Sequence, residues 1–298
     1  MSARAWLAFV SLGIFWGLPY FFIKIAVQEL SPFDVAWGRI TLAALILLPV
    51  AWRRGTLRAL LAHKAAILAF ALVEFTIPFS AISMGERWIP SSVAAILIAT
   101  VPLIIALISR FFGVHERLGA ARIAGLVVGL AGVVALVGFG AISGPLAWAG
   151  SACVVVATIG YAIGPLIIQR HLHSVDSIGP VAASLSIASA LLLVPAMLSL
   201  PAGMPSLRAL SSVAILGLVC TALSMLVMFY LVKNAGAARA SIVTYINPAV
   251  ATLLGMVLLD ERLGIWGLTG FGLILFGSWL ATRGSAPAPE VAAAGASP

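Results

Sequence analysis

Two ionisable side chains, Arg39 and Glu74, lie inside long apolar runs. The chemistry they offer is that of a charge or a proton held away from water. A charged side chain at bilayer depth costs about 2.5–3.5 kcal/mol on insertion scales, so a partner, a wet cavity or neutralisation must compensate each one. Arg39 stands about six residues, or roughly 9 Å of helical rise, from one end of its run; Glu74 stands about ten residues, or roughly 15 Å, from the same side of the membrane. Such depths let the two meet if their helices are neighbours. Glu74 is the carboxylate expected at mid-depth and the candidate for proton coupling. The alternative is a closed structural ion pair with Arg39.

A second constellation is polar but mostly uncharged. Ser241, Thr244, Tyr245 and Pro248 follow i, i+3, i+4, i+7, which places them on one face of a helix, with Asn247 beside it. Polar groups at that depth should face protein or water, and Pro248 leaves the carbonyl of Thr244 without its helical donor. Pro102 is the counterpart proline in the first half, where Ala95, Ile98 and Ala99 are apolar. Both prolines are candidate kinks. The stripe can line a cavity or only join helices through hydroxyls. Trp16 and Tyr20 are four apart and share a face; with Tyr161 they are candidate walls of a substrate cavity. Trp6, Trp52 and Tyr230, nearer helix ends, fit an interfacial belt. Lys24 lies within a turn of a helix end, where its amine can snorkel to the headgroups.

Other chemistries lack their residues. His171 and His173, with only Asp176 nearby, make a weak metal signal and fit a solvated loop, so no metal and no cofactor is expected. HExxH and GxSxG patterns are absent, as is the phosphate-binding GxxxxGK[ST] loop. The chain therefore reads as no enzyme, and any energy source is a gradient rather than a nucleotide.

The elements that must carry these residues follow from composition. Of 298 residues, 62% are hydrophobic and 9% charged, whereas a soluble domain carries roughly 25% charged residues. Lipid is therefore the solvent. The net charge of +8 does not signify nucleic acid, because the basic residues lie in gaps between apolar runs and form no stripe. Runs near the 20 residues that a spanning helix needs predict ten transmembrane helices: Trp6–Ala26, Phe33–Trp52, Lys64–Met84, Ser91–Arg110, Ala120–Phe139, Leu146–Ile168, Ser177–Ser199, Leu210–Val232, Ala238–Leu259 and Gly264–Ala281. The Ala-, Pro- and Gly-rich tail 284–298 is expected to be disordered. With the N-terminus inside, twelve of the 17 Lys and Arg residues fall on the cytoplasmic side and four outside, with Arg39 within the membrane. Both termini are then cytoplasmic.

The chain is also written twice. Glu116-Arg117-Leu118-Gly119 recurs as Glu261-Arg262-Leu263-Gly264, and Gly125 and Gly132 follow the first copy as Gly270 and Gly277 follow the second. Ala66-Ile67-Leu68 likewise resembles Ala214-Ile215-Leu216. In each motif the acid is expected to complement the N-terminal dipole of the helix it precedes. Five helices per unit is odd, so units 1–143 and 144–283 enter the membrane from opposite sides, as in inverted-repeat transporters. The predicted fold is an all-α integral membrane protein of two inverted five-helix repeats.

On Trp16-Gly17 with Lys24, Pro32 with Arg39, Pro102 with Glu116-Arg117, and Pro248 with Glu261-Arg262, the chain resembles the EamA-type transporters of the drug/metabolite transporter superfamily, from Trp6 to Thr282. The resemblance implies an inner-membrane carrier of small organic molecules, often an exporter, with a cavity lined by helices 1, 3, 4, 6, 8 and 9. It names no substrate. The second half departs from the pattern at Tyr161, Gly164 and Pro165, which stand where the first has Trp16, Pro19 and Tyr20, and at Gln169, which stands for Lys24. A channel, a non-transporting scaffold and an intramembrane enzyme are the rival readings. A channel needs no inverted halves, and a scaffold needs no Arg39 or Glu74 in lipid.

Overall fold

The computed structural model describes residues 2–108, 119–138, 146–172, 175–235 and 242–282. Ser241, Glu116, Arg117, His173, the 143/144 boundary and the C-terminal tail lie outside the described residues, as does the side chain of Tyr245. The described chain is helical, with no strand. We number its helical stretches α1 (Ala3–Ala26), α2 (Pro32–Arg53), α3 (Arg58–Gly85), α4 (Ser91–Ile108), α5 (Ala120–Gly138), α6 (Ala147–Leu172), α7 (Ile178–Leu198), α8 (Leu207–Ala235), α9 (Asn247–Leu258) and α10 (Ile265–Thr282). Among the described residues seven are long and apolar enough to cross a membrane: α1 to α4 and α6 to α8. The apolar stretches of α5, α9 and α10 are shorter.

The packing repeats itself with the two halves exchanged. α1 packs on α8 and α9, as α6 packs on α3 and α4; α2 meets α7, α4 meets α9, and α5 meets α10. A two-fold relation requires this reciprocity, and it holds atom by atom at the glycine seam between α5 and α10. A Cβ on Gly132 would lie 2.9 Å from the Gly270 carbonyl oxygen, and one on Gly277 would lie 2.7 Å from that of Gly125. Small residues let the two backbones touch, the usual device where lipid gives no hydrophobic drive to helix association. Between α2 and α7, Thr41 Oγ1 and Ser189 Oγ share a hydrogen bond of 2.7 Å. Around the outside, Leu45, Val127, Leu130, Val194, Leu253 and Val257 are exposed to the apolar solvent.

Several helices are not regular; α6 ends in a π-turn at Ile168–Leu172, and four other irregularities come in pairs. α3 widens into a π-turn at Ala71–Thr76 and α8 at Leu218–Leu223, 147 residues later. A widened turn leaves carbonyls short of donors, and threonine hydroxyls take two of them: Thr76 Oγ1 bonds Ala71 O at 3.0 Å and Thr221 Oγ1 bonds Leu216 O at 2.8 Å. α4 breaks between Ile98 and Val101, immediately before Pro102. In the second half a short 3₁₀ turn, Ile242–Tyr245, precedes α9, whose second residue is Pro248. Proline is tolerated in a first helical turn, where its missing N–H would have had no partner. The continuous helix expected from Ala238 to Leu259 is therefore not what forms. The one-face argument for Ser241, Thr244, Tyr245 and Pro248 falls with it, because it assumed an unbroken 3.6-residue period.

The loops sort to two ends. At one end Ser31 bonds Ser199 (2.7 Å), Glu29 bonds Ser206, Lys24 bonds the carbonyls of Glu86 and Ile89, and Glu261 bonds Ser91 and Ser92. At the other, Gly179 packs closely on Thr56, and Leu57, Leu60 and Ile67 cluster with Leu172 and Val175.

Candidate functional site

Arg39 is 6% exposed and lies where α2, α3 and α8 meet. Its Nε donates to Thr221 Oγ1 at 2.8 Å, on the π-turn of α8, and its guanidinium carbon sits 3.8 Å above the centre of the Phe79 ring of α3. A hydroxyl and an aromatic face thus compensate the charge, the second through the ring quadrupole. Arg39 forms no ion pair with Glu74, so the structural pair that the depths allow is not made. The two terminal nitrogens of Arg39 make no hydrogen bond with the described protein. Within its electrostatic reach are Tyr161 of α6, Cys220 of α8, Tyr20 of α1 and Glu86 at the end of α3.

Glu74 lies in the π-turn of α3, aimed at α6. Its Oε2 is fully buried without a hydrogen-bond partner and lies against Gly164, where any side chain would force the carboxylate to move. Gly160 of the same helix closes on the backbone of Val73. Two glycines one turn apart therefore let α6 lie against the irregular turn of α3. Tyr161, between them, packs against both large hydrophobic clusters and sits within electrostatic reach of Arg39 and Glu74. Tyr20 is buried at 7% exposure, in the field of Tyr161, Glu86 and Arg39. Trp16 is half-buried, and its Nε1 donates to Ser224 Oγ at 3.1 Å, joining α1 to α8.

The second constellation is only partly brought in. Pro248 is buried and Asn247 half-buried. In the amide orientation that satisfies its surroundings, Asn247 donates to Val243 O (3.0 Å) and Gly13 O (3.2 Å). It thus bridges the break before α9 to α1, whose Gly17 backs onto Val250 and the Asn247 carbonyl. Thr244 is exposed. Pro102 sits at the matching break in α4.

Several residues here were not anticipated. Thr221 and Phe79 hold Arg39, yet neither is ionisable, and a π-turn has no sequence mark. Glu86 falls in a short gap that reads as interfacial, but it is 0% exposed. Lys24 does not snorkel: its Nζ donates to Glu86 O (2.6 Å) and Ile89 O (2.9 Å), securing the chain leaving α3. Glu261 serves α4 of the other half rather than its own helix. It accepts from Ser91 N (2.7 Å), Ser92 N (2.9 Å) and Ser92 Oγ (2.6 Å), so its charge meets the free N–H groups at a helix start. Asp260, at φ 53°, turns the chain so that Glu261 can reach across; an aspartate tolerates that left-handed geometry better than most residues. Among the described residues no group of three metal-ligating side chains occurs.

The fold and this buried polar cluster between its halves define a multi-pass membrane protein of the inverted-repeat carrier type. The model of the EamA-like transporter family matches twice, over residues 3–138 and 148–283, and the chain belongs to that family. It is similar to the "Uncharacterized inner membrane transporter YedA" of Escherichia coli (strain K12), 31% identical over 280 residues that cover 93% of this chain and 90% of that one. An "Uncharacterized transporter" of Archaeoglobus fulgidus is 27% identical over 287 residues, covering 94% and 99%. A solved crystal structure with 20% identity superposes at a TM-score of 0.66 over 95% of this chain and 98% of that one, which shows the same fold. The protein is a membrane transporter by family.

Proposed function

We propose that this protein is a secondary active transporter that moves small organic molecules across the cytoplasmic membrane by alternating access, in the export direction and coupled to protons. Its two units are 1–143 and 144–283, related as inverted repeats around the site. The Lys and Arg bias puts both termini in the cytoplasm, so the end that carries Lys24, Glu86 and Glu261 faces outside.

The observation that carries this reading is the cluster between the halves. Arg39 makes its hydrogen bond through Nε alone, which leaves two charged donors for a ligand. Tyr20, Tyr161 and Phe79 supply aromatic surface around it, and Glu74 offers a carboxylate with no protein partner. A scaffold gains nothing from two unspent polar groups at this depth, since each is a cost without a ligand or a proton. The breaks in α4 and before α9, with candidate hinges at Pro102 and Pro248, supply places for the halves to move. Trp16 and Asn247 form its edge, with Ser241, Thr244 and Tyr245 as candidates beside them. Export is the direction that the family resemblance implies.

The test is flux in proteoliposomes, with and without an imposed pH gradient, for wild type and Glu74→Gln. The expected result is accumulation that needs the gradient in wild type, and downhill exchange without accumulation in Glu74→Gln. Flux that ignores the gradient and does not saturate would favour a channel, and absence of flux for every small organic molecule tried would favour a scaffold.

A further inference from the structure

The end of the molecule away from Arg53 and His63 holds a carboxylate that the cluster around Arg39 does not use. Glu86 follows α3 directly. It is 0% exposed, and neither of its carboxylate oxygens has a hydrogen-bond partner. Its place at the C-terminal end of a helix is the wrong end of the dipole for an anion. Every element around it has a say. From α1, Lys24 and Tyr20 face it; from α2, Arg39; from the loop between α9 and α10, Glu261. Lys24 has spent two of its three hydrogens on the carbonyls of Glu86 and Ile89. Glu261 is itself taken up by the start of α4, where its oxygens accept from Ser91 N and Ser92 N. Ser91 Oγ, also 0% exposed, has no partner either.

An ion buried without hydrogen bonds is strongly penalised, whereas the neutral acid is not. Burial accordingly pushes the Glu86 carboxyl well above the usual carboxylate range; Lys24 pulls it back and Glu261 pushes it further up. From Glu86 a line of ionisable groups leads inward, each within electrostatic reach of the next: Tyr20, Tyr161, Glu74.

We propose that Glu86 is the port at which protons enter the carrier from the outside, and that its protonation is the condition for the outer end to close. This rests on the reading of the protein as an alternating-access carrier. In the open form Glu86 meets water as an ordinary carboxylate; in the closed form it is enclosed and neutral. Between the two pKa values the closed form holds one more proton than the open form. Raising the external pH therefore favours the open form tenfold per pH unit, and acidification closes it. The proton taken from outside water neutralises the carboxylate, and no other group changes charge.

The experiment uses the full chain in proteoliposomes without substrate. Val93, 0% exposed near the start of α4, is replaced as Val93→Cys and labelled from outside with a membrane-impermeant maleimide. Its labelling is normalised to Arg87→Cys, which is exposed, to remove the thiol's own pH dependence. Normalised labelling should fall about tenfold per unit of acidification over part of the range, and Glu86→Gln should flatten the profile at the closed level. In parallel, the infrared C=O stretch of a protonated carboxyl should grow in wild type with the same midpoint, be lost in Glu86→Gln and persist in Glu74→Gln. A labelling profile that survives Glu86→Gln overturns the proposal. If that variant does not fold, a wild-type carboxyl signal that fails to track closure overturns it alone. Neither readout involves flux, so a failure here leaves the carrier reading standing, and a failed flux assay leaves these readouts interpretable.

Discussion

The π-turns of α3 and α8 occupy matching places in the two halves, yet they do different work. In α8 the turn presents Thr221, which is fully satisfied: it donates to Leu216 O and accepts from Arg39. In α3 the turn presents Glu74, whose buried oxygen is satisfied by nothing in the protein. The backbone device is common to both units while the chemistry is confined to one. Duplication therefore accounts for the scaffold, and the proposed function draws on the places where the copies have diverged. Gln169 in place of Lys24 carries the same lesson.

The sharpest way to break the symmetric part is at the glycine seam. Gly277→Leu would drive a side chain into the Gly125 carbonyl and the Gly129 backbone, and Gly132→Leu into the Gly270 carbonyl and Ile274 N. Backbone cannot move aside as a side chain can, so each should cost at least the upper end of the overpacking range, about 3 kcal/mol. Folded yield and thermal midpoint by fluorescence-detected size exclusion should drop together for the two variants. If one were tolerated and the other lethal, the seam would not be a two-fold contact.

The asymmetric part yields next. Thr221→Val keeps shape but removes the acceptor for a buried, charged donor, and should destabilise by roughly 1.5–3 kcal/mol. Glu74→Gln breaks no hydrogen bond or ion pair, so its folded yield should match wild type while gradient-driven accumulation is lost. A paired structural carboxylate would behave in the opposite way, with low yield and normal function in whatever folds. The contrast between these two variants in one thermal-shift and one flux assay tests whether scaffold and chemistry are divided as the geometry suggests.

How far the sequence carries this division is itself instructive. Helix existence follows from apolar run length, and the family and the inverted halves follow from Glu116-Arg117, Glu261-Arg262 and the glycine offsets, because backbone contact tolerates only glycine at those places. Arg39 and Glu74 stand out because charge in lipid is expensive. Their partners do not, because Phe79 and Thr221 are ordinary membrane residues until the fold puts them beside a guanidinium. Helix 9 misled for a related reason: an i, i+3, i+4, i+7 pattern has meaning only on an unbroken helix, and the chain changes geometry between Tyr245 and Asn247. Glu86 was hidden by its place in a gap, since loop position suggests water and only packing shows that water is excluded.

The smallest expected effect lies where the two halves face each other through one hydrogen bond. Thr41 Oγ1 and Ser189 Oγ are 2.7 Å apart between α2 and α7, and either can donate. Hydroxyl bonds between membrane helices average about 0.6 kcal/mol in double-mutant cycles, because the separated helices find other partners. Thr41→Val and Ser189→Ala should each cost little, and the double variant should cost less than their sum by about that amount. Transport should not change, since neither side chain touches the Arg39 cluster. A coupling energy near zero would mean that apolar packing, not this bond, joins α2 to α7 at mid-depth. A coupling well above 1.7 kcal/mol, the upper end for such bonds, would mean that this contact does more than join two helices and that the seam between the halves resists separation there.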